Sequence, residues 1–581
     1  MNCRMGSSYV RCNITFDPNL QIYNNQVYVD FRWSNNFDGK VYLPRVQGSI
    51  YGMFSGCKEF NSPVFVPNTI PDATTMFEQC TKFNSLVNFE FPSNSRNFVM
   101  TFINCTNYNR PVTFPNTYNV VDYTFAFNNC TSFNQPVIFG NNVNSCAGMF
   151  ENCIFYNQAT TMPDTVTTCY RMFWGCVSLN KPVTISQNAK SCFAMFWNCR
   201  NFNQPVTIPD SVTDVSGIFW NCKNLNSPVH IGNNVTECGN MFEKGSLSNN
   251  TYDSVFNGSV YIGKNVINCA YMFAGLDYFN KPIVIPDKVN NCSHMFAYVK
   301  NFNSVVQIGT NVKDCSAMFA QDIIFDQPIT IPNGVTNCQS MLCGYINGRF
   351  NRRLIIPDSV NNCGSMLSEQ NRFNSEICIG AQVKDCHSMF WGCGNLDKPI
   401  IIPPDAETCG AMFLGCNNFN SRVTMPETDG CQCGSMFADC PNFNQNVYVP
   451  DNAYCRDILR GCTNYRSTLS IPSGSPSTVR LTARESTNGA TIIDRSTGTA
   501  YRVEQHSGNG QWYWNDGSGG SYYGPNDNDP VVIPDDYSST ASYFKDYYRY
   551  NQPTSIPNSS ASCKYMFSGC TSFNSEVTFK D

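Results

Sequence analysis

Apolar positions in this chain return on a beat of 23 residues. In CRNFNQPVTIPDSVTDVSGIFWNC, from Cys199 to Cys222, Val206 and Ile208 flank the polar Thr207. That alternation predicts a short strand with Val206 and Ile208 inward and Thr207 outward. Prolines on either side suit strand ends, where no ladder donor is needed. The following D-S-V, or N-N-V in other copies, is turn chemistry. Upstream, Cys192, Met195, Phe196 and Cys199 are spaced at 3, 4 and 7. This helical period predicts one α or 3₁₀ turn packed under the strand. An F-N pair closes the unit.

The same phrase recurs along the chain. Cys130, Cys153, Cys176, Cys199 and Cys222 lie 23 residues apart, as do Met272, Met295, Met318 and Met341. Met366, Met389 and Met412 resume the beat after one step of 25. The consensus M-F-x-x-C-x-x-F-N-x-P-V-x-I-P-x-x-V-x-x-C recurs in about twenty copies, a period that signals a solenoid whose units bury their apolar faces against neighbours. Stacking would align Phe202, Phe279, Phe302 and Phe443 in an aromatic spine. Asn203, Asn280, Asn303 and Asn444 would form a buried amide ladder, each side chain bonding backbone of the adjacent coil.

Pairs such as Cys146/Cys153, Cys169/Cys176, Cys192/Cys199, Cys386/Cys393, Cys409/Cys416 and Cys563/Cys570 are seven residues apart and would stack in columns. Gly245, Leu276 and Val299 fill one of those slots elsewhere, so the slot reads as small and apolar. Cys153, Cys176, Cys199 and Cys222 are therefore expected as buried free thiols. Disulfides between coils fit less well, because they need Cβ atoms about 4 Å apart, while stacked columns sit roughly 4.8 Å apart. Zinc needs four converging ligands. The four histidines are dispersed and Cys431/Cys433 is a lone close pair. No metal and no cofactor is expected.

The phrase MFxxCxxFNxPVxIPxxVxxC resembles the BspA-like leucine-rich repeats of bacterial and protist surface proteins. The resemblance covers about residues 34–472 and resumes near 540–581. It implies a β-rich repeat solenoid with one short parallel strand per coil, an adhesive or recognition role, and no catalytic residues. Such surface proteins usually carry an export signal, and the N-terminus MNCRMGSSYVRCNITF has no apolar run of that length.

Four regions are expected: an N-terminal cap at 1–33, the solenoid at 34–472, an insertion at 473–538, and further coils at 539–581. Near 243–258 one coil is eight residues longer, as a surface loop would make it. The first half of the insertion alternates like a β-hairpin at Ala500, Tyr501, Arg502 and Val503. The second half is rich in Gly, Ser, Asn, Trp and Tyr. It reads either as a loop on a small sheet or as a recognition tip anchored by Trp512, Tyr513, Trp514, Tyr522 and Tyr523. The terminal SEVTFKD stops at or just past a strand, an edge for the insertion or a partner to cover.

Charge and motifs narrow the function further. Charged residues are 14% of the chain and the formal net charge is −5, which gives no basic footprint for nucleic acid. No run of 18 apolar residues suggests membrane insertion. G-x-S-x-G, H-E-x-x-H and phosphate-binding glycine loops are absent. The recurring aspartates of I-P-D (Asp164, Asp210, Asp287, Asp358) read as turn openers rather than as a catalytic or calcium-binding row. The outward strand residue varies, from Thr113, Thr184, Thr207, Thr330 and Thr424 to Phe65, Ile138, His230, Tyr261, Gln307 and Ile401. Such a face suits protein or glycan contacts. Two settings follow for a non-enzymatic adhesion protein. One is a bacteriophage virion, as a tail or head fibre assembled in the host cytoplasm, docked on other virion proteins or its own copies and touching a host glycan or protein. The other is a cell-surface adhesin. A capsule-degrading enzyme ranks third.

Overall fold

The computed structural model describes residues 31–39, 41–43, 51–69, 72–90, 97–114, 116, 121–242, 254–344, 348–505, 512–518, 521–522, 531–532, 554–556, 567 and 575–579. They fall into two compact units, Met1–Arg372 and Phe373–Asp581. Each is a stack of coils. In the first unit the short strands pair in parallel one repeat apart, as in Val64 with Val87, Val206 with Val229, and Ile283 with Val306. Val229 pairs instead with Val260, an offset of 31, so that coil is eight residues longer than its 23-residue neighbours. The expected surface loop at 243–258 lies mostly outside the described residues. A second parallel ladder runs through single bridges from Ser145 and Thr168 to Asn337 and Asn362. At these bridges Asp214, Asn268 and Asp314 accept the N–H two residues on, which turns the chain inward.

The expected helical turn is replaced by a different structure. From Cys192 to Cys199 the N–H groups alternate in direction. Ala194, Phe196 and Asn198 donate to the next coil at Ser216, Ile218 and Trp220, while Met195, Trp197 and Cys199 close three-residue turns within their own coil. Ala194 and Asn198 take positive φ, 53° and 62°. A helix would spend all these donors internally; here half of them join coil to coil. The 3, 4, 7 spacing persists because each turn returns every third or fourth residue to the interior. Among the described residues, helical turns occur at Pro476–Val479 and Glu485–Thr487.

The interior is built in files. Each typical coil gives two rings to the spine rather than the one expected. Phe196 and Phe202 stack at 4.6 Å, and Phe196 meets Phe173 and Phe219 at 5.6 Å on either side. Phe302 lies 5.9 Å from Phe279 and 5.8 Å from Phe325. The amide ladder exists, but at the surface rather than inside. Asn203 is exposed; its N–H donates to Asn180 Oδ1 at 3.0 Å, and its own Oδ1 accepts from Asn226 N–H at 2.9 Å. Asn303, half-buried, repeats this between Asn280 and Asp326. The side chain folds back along the coil edge, because the unmet N–H groups lie there. The I-P-D aspartates bridge coils similarly: Asp287 Oδ1 accepts the N–H and hydroxyl of Thr310, which holds its carboxyl below the usual range.

Cys153, Cys176, Cys199 and Cys222 are fully or almost fully buried free thiols. Their slot is more than a small apolar one. Each S–H donates to the carbonyl of a phenylalanine one coil back (Phe127, Phe150, Phe173 and Phe196) at 3.0–3.1 Å. Gln370 fills the same slot, and its Nε2 donates to the equivalent carbonyl of Leu342 at 2.6 Å. In these coils the slot holds a donor aimed at that carbonyl, whereas Leu276 and Val299 fill it without one.

Asp322 occupies this slot too, 1% exposed, with Oδ2 unpartnered. Burial pushes its carboxyl well above the usual range, opposed by the N–H groups of Ile324 and Phe325. The unfolded carboxyl titrates near about pH 4. The folded one titrates higher, so stability is greatest below that pH and falls as pH rises towards the folded value. At pH 7, Asp322→Cys is expected to stabilise the first unit by about 1–3 kcal/mol by replacing an unsatisfied buried acid with the usual donor. Urea unfolding at pH 7 and near about pH 3.5 checks this. The gain should shrink at the lower pH; an equal gain at both would refute the assignment.

In the second unit the strand ladder passes the expected boundary at 472. Val447–Tyr448, Thr468–Ile471 and Thr491–Asp494 pair in parallel, with Thr468 opposite Thr491. The direction then reverses. Ala500–Gln505, Trp512–Asn515 and Ser521–Tyr522 add antiparallel strands to the same sheet, in line with the hairpin expected at Ala500–Val503. Arg495, just past Thr491–Asp494, ties three coils together. Its guanidinium donates to Val449 O at 2.7 Å and Ser470 O at 3.1 Å, and lies 4.0 Å over the Tyr448 ring. Val531–Val532, Thr554–Ile556 and Val577–Phe579 pair in parallel at the repeat offset, so coil pairing resumes by Val531 rather than at 539. Of the expected cap at 1–33, residues 1–30 lie outside the described residues.

Candidate functional site

Two surfaces were expected to carry recognition. The first, the aromatic tip, is not assembled as the sequence suggests. Trp514 is fully buried; it sits opposite Val503 in the antiparallel sheet, and its indole Nε1 donates to Leu481 O at 3.2 Å. Ile492, Ala490, Leu481 and Val479, of the coil that ends in Thr491–Asp494, are buried as well. Among the described residues no further parallel strand pairs with Thr491–Asp494; the hairpin follows it in the sheet and brings a tryptophan to this coil. Trp514 is thus part of the interior, where the tip reading expects an exposed ring. Trp512 and Tyr513 are half-buried on opposite faces of their strand. Tyr522 pairs with Trp514 along the backbone. Tyr523 lies outside the described residues.

The second surface is the outward file of the strands. Inner positions are nearly always Val, Ile or Leu, with Thr160 an exception, and are mostly buried, as at Val206, Val229, Ile283 and Leu354. The outward neighbour changes from coil to coil. In the first unit it is threonine at Thr113, Thr161, Thr184 and Thr207, and otherwise residues such as Phe65, Asn88, Ile138, His230, Tyr261, Val284, Gln307 and Ile355. Ile138 and Val284 are each 60% exposed, and the rings of His230 and Tyr261 stack at 4.5 Å. In the second unit Ile401 is 70% exposed and Tyr448 59%. Water-facing aliphatic side chains thus recur at this strand position, interspersed with threonine and other polar residues; Tyr261 and Val284 fall in successive strands. The period-two alternation makes this face readable from sequence.

A third feature was missed. Trp174, Trp197 and Trp220 follow the spine phenylalanine (Phe173, Phe196 and Phe219) in three successive coils and stack at 4.6 and 4.1 Å. Arg171 covers the outer face of Trp174 at 4.2 Å and pairs with Glu151 at 2.6 Å. Burial pushes the Glu151 carboxyl up, and Arg171 opposes it. The signal was available as W at the 23-residue beat. The rings face each other, so they offer edges rather than faces to a ligand. The ladder chiefly joins coils.

Among the described residues, no three His, Cys, Asp or Glu side chains converge where a metal could sit, and no helix is long and apolar enough to cross a membrane. The fold and its surfaces define a repeat solenoid that keeps a fixed interior and varies one outward file. The chain belongs to the family described as "Mycoplasma protein of unknown function, DUF285", whose profile matches residues 48–162, 97–209, 148–255, 194–307, 233–331, 268–377 and 403–453, more than half of the sequence. No curated protein matches. Among solved structures, the chain is similar to a leucine-rich cell surface protein from Faecalibacterium prausnitzii at 16% identity (61% of this chain, 86% of that one, TM-score 0.31). It is also similar to leucine-rich repeat proteins from Bacteroides ovatus (14% identity, 72% and 81%, TM-score 0.31) and Eubacterium ventriosum (15%, 74% and 87%, TM-score 0.21). At these scores the fold assignment rests on the strand registers of the chain itself.

Proposed function

We propose that this is a non-enzymatic recognition protein of the cell surface, and that the outward strand file of the solenoid is its binding face. One observation carries the proposal. Within one sequence the inner strand positions repeat while the outward ones diverge and expose apolar side chains, notably Ile138, Tyr261 and Val284. A purely structural rod gains nothing from exposing them, and a set of varied weak contacts along a ladder sums to useful avidity. The family description names a cellular bacterium, which supports a cell-surface setting over a virion fibre.

The test is binding of the full chain to a glycan array and to immobilised extracellular matrix proteins. The triple variant Ile138→Thr, Tyr261→Thr, Val284→Thr installs residues that other coils already carry at this position. It is expected to fold normally by circular dichroism and to lose about tenfold or more in affinity for whichever surface the parent binds. Unchanged binding by the folded variant would rule this face out.

A further inference from the structure

The thiols of the second unit hold one irregularity. In ordinary coils the inward Val or Ala of the turn precedes the first cysteine by three residues, as in Val383 to Cys386 and Ala406 to Cys409. Val383, Ala406 and Cys431 hold equivalent places, since each N–H closes a turn on the residue three back (Gly380, Pro403 and Thr428). From Cys431 to Cys433 the step is only two residues, CQC. The shortened step brings a second thiol onto the cysteine file, with Cys431 Sγ 3.6 Å from Cys433 Sγ. All of Cys409, Cys431 and Cys433 are buried.

Cys431 is the acceptor in this group. Hydrogen bonds from the Cys409 and Cys433 thiols bring its own thiol down, whereas burial pushes up thiols such as Cys199 and Cys222. Those thiols of the other file also donate to backbone carbonyls, which turns each sulfur away from its neighbour in the stack. Cys431 is close to solvent despite its burial. A side chain added at Gly430 would meet nothing within 4 Å, and Gln432 on the other side is exposed.

We infer that Cys431 and Cys433 form an oxidation site that closes to an intramolecular disulfide under a hydroperoxide, while the rest of the thiol files stay reduced. With hydrogen peroxide, the Cys431 thiolate attacks one oxygen; the O–O bond breaks, and the leaving hydroxide takes a proton to become water (an organic hydroperoxide would release its alcohol instead). The resulting sulfenic acid is attacked by Cys433 sulfur; the S–O bond breaks, a second water leaves, and the S–S bond forms. Two thiols are oxidised by two electrons and one hydroperoxide is reduced, so no other reactant is needed. Gly430 and the short step concentrate the response at one coil.

The experiment uses the full chain, reduced and then treated with hydrogen peroxide under native conditions. Remaining thiols are alkylated after unfolding, and peptides are mapped by mass. The peptide holding both Cys431 and Cys433 is expected to lose two hydrogens and escape alkylation about tenfold faster than the pair Cys169 and Cys192, whose sulfurs are also close at 3.7 Å. In Cys433→Ala the resolving sulfur is gone, and Cys431 should instead be trapped by dimedone as the sulfenic acid. Three results would overturn the inference: Cys431 and Cys433 fully alkylated in folded protein, a crosslink from Cys431 to Cys409 in place of Cys433, or oxidation spread evenly over the thiol files.

Discussion

Phe296→Ala is expected to destabilise the first unit by about 3–5 kcal/mol, the range for emptying a buried aromatic site. Phe296 is fully buried and touches four other rings: Phe302 in its own coil at 4.5 Å, Phe273 and Phe319 in the flanking coils at 5.4 Å, and Phe279 at 6.4 Å. No single side chain elsewhere can collapse into the gap, because its neighbours are fixed in their own coils by backbone ladders. The chain itself supplies the control. Leu342 and Leu367 occupy the matching position after Met in two other coils, and both are buried. Phe296→Leu should therefore cost less than about 1.5 kcal/mol. In a stacked array the loss propagates mainly to nearest neighbours. Amide hydrogen exchange should thus accelerate first at coils 269–279 and 315–325 and leave coils near 64–89 unchanged. A uniform acceleration across the unit, or a loss of under about 1 kcal/mol in urea unfolding, would show that the ring file does not bear the stability assigned to it.

The repeat beat made much of this readable in advance. Strand placement, the inward Val206 and Ile208, the outward Thr207, the buried thiols and the ring at Phe202 all follow from alternation and spacing that the coils preserve. What failed has a common cause. A period of 3, 4 and 7 reports which residues point inside, not which backbone bonds hold them there. Ala194 and Asn198 at positive φ turn the expected helix into a coil-to-coil ladder, and nothing in their side chains announces it. The thiol slot was read from its apolar substitutes, so the S–H bonds to Phe127 and Phe173, and the role of Gln370, stayed hidden. The amide ladder was placed inside because F-N adjoins the core, yet adjacent residues in an extended segment face opposite ways, which puts Asn203 outside. The strand face was legible because its signal is the same alternation. The tryptophan ladder is legible too, as Trp174, Trp197 and Trp220 on the same 23-residue beat.

The insertion shows how composition alone misleads, and it carries the last prediction. A cluster of Trp, Tyr, Gly and Ser matches a binding loop, but the solenoid has a prior need. Thr491–Asp494 is the last parallel strand of its sheet, and without the hairpin its coil would leave Val479, Leu481 and Ile492 less covered. The antiparallel strands meet the strand edge, with Val503 N–H reaching Ala490 O at 3.1 Å, and Trp514 fills the space over the coil interior. Trp514→Ala is expected to cost the second unit about 3–5 kcal/mol, since it removes a large buried ring and opens the end of the stack. Trp514→Phe should recover most of that and leave a deficit of about 1 kcal/mol for the unmet Leu481 carbonyl. Trp512→Ala and Tyr513→Ala, at half-buried positions, should each cost much less. Urea unfolding read by circular dichroism gives the ranking, and hydrogen exchange at Thr468–Ile471 and Ala500–Gln505 locates it. A Trp514→Ala protein as stable as its parent would mean that the hairpin does not cap the stack, and would return the aromatic cluster to the ligand-binding role its composition first suggested.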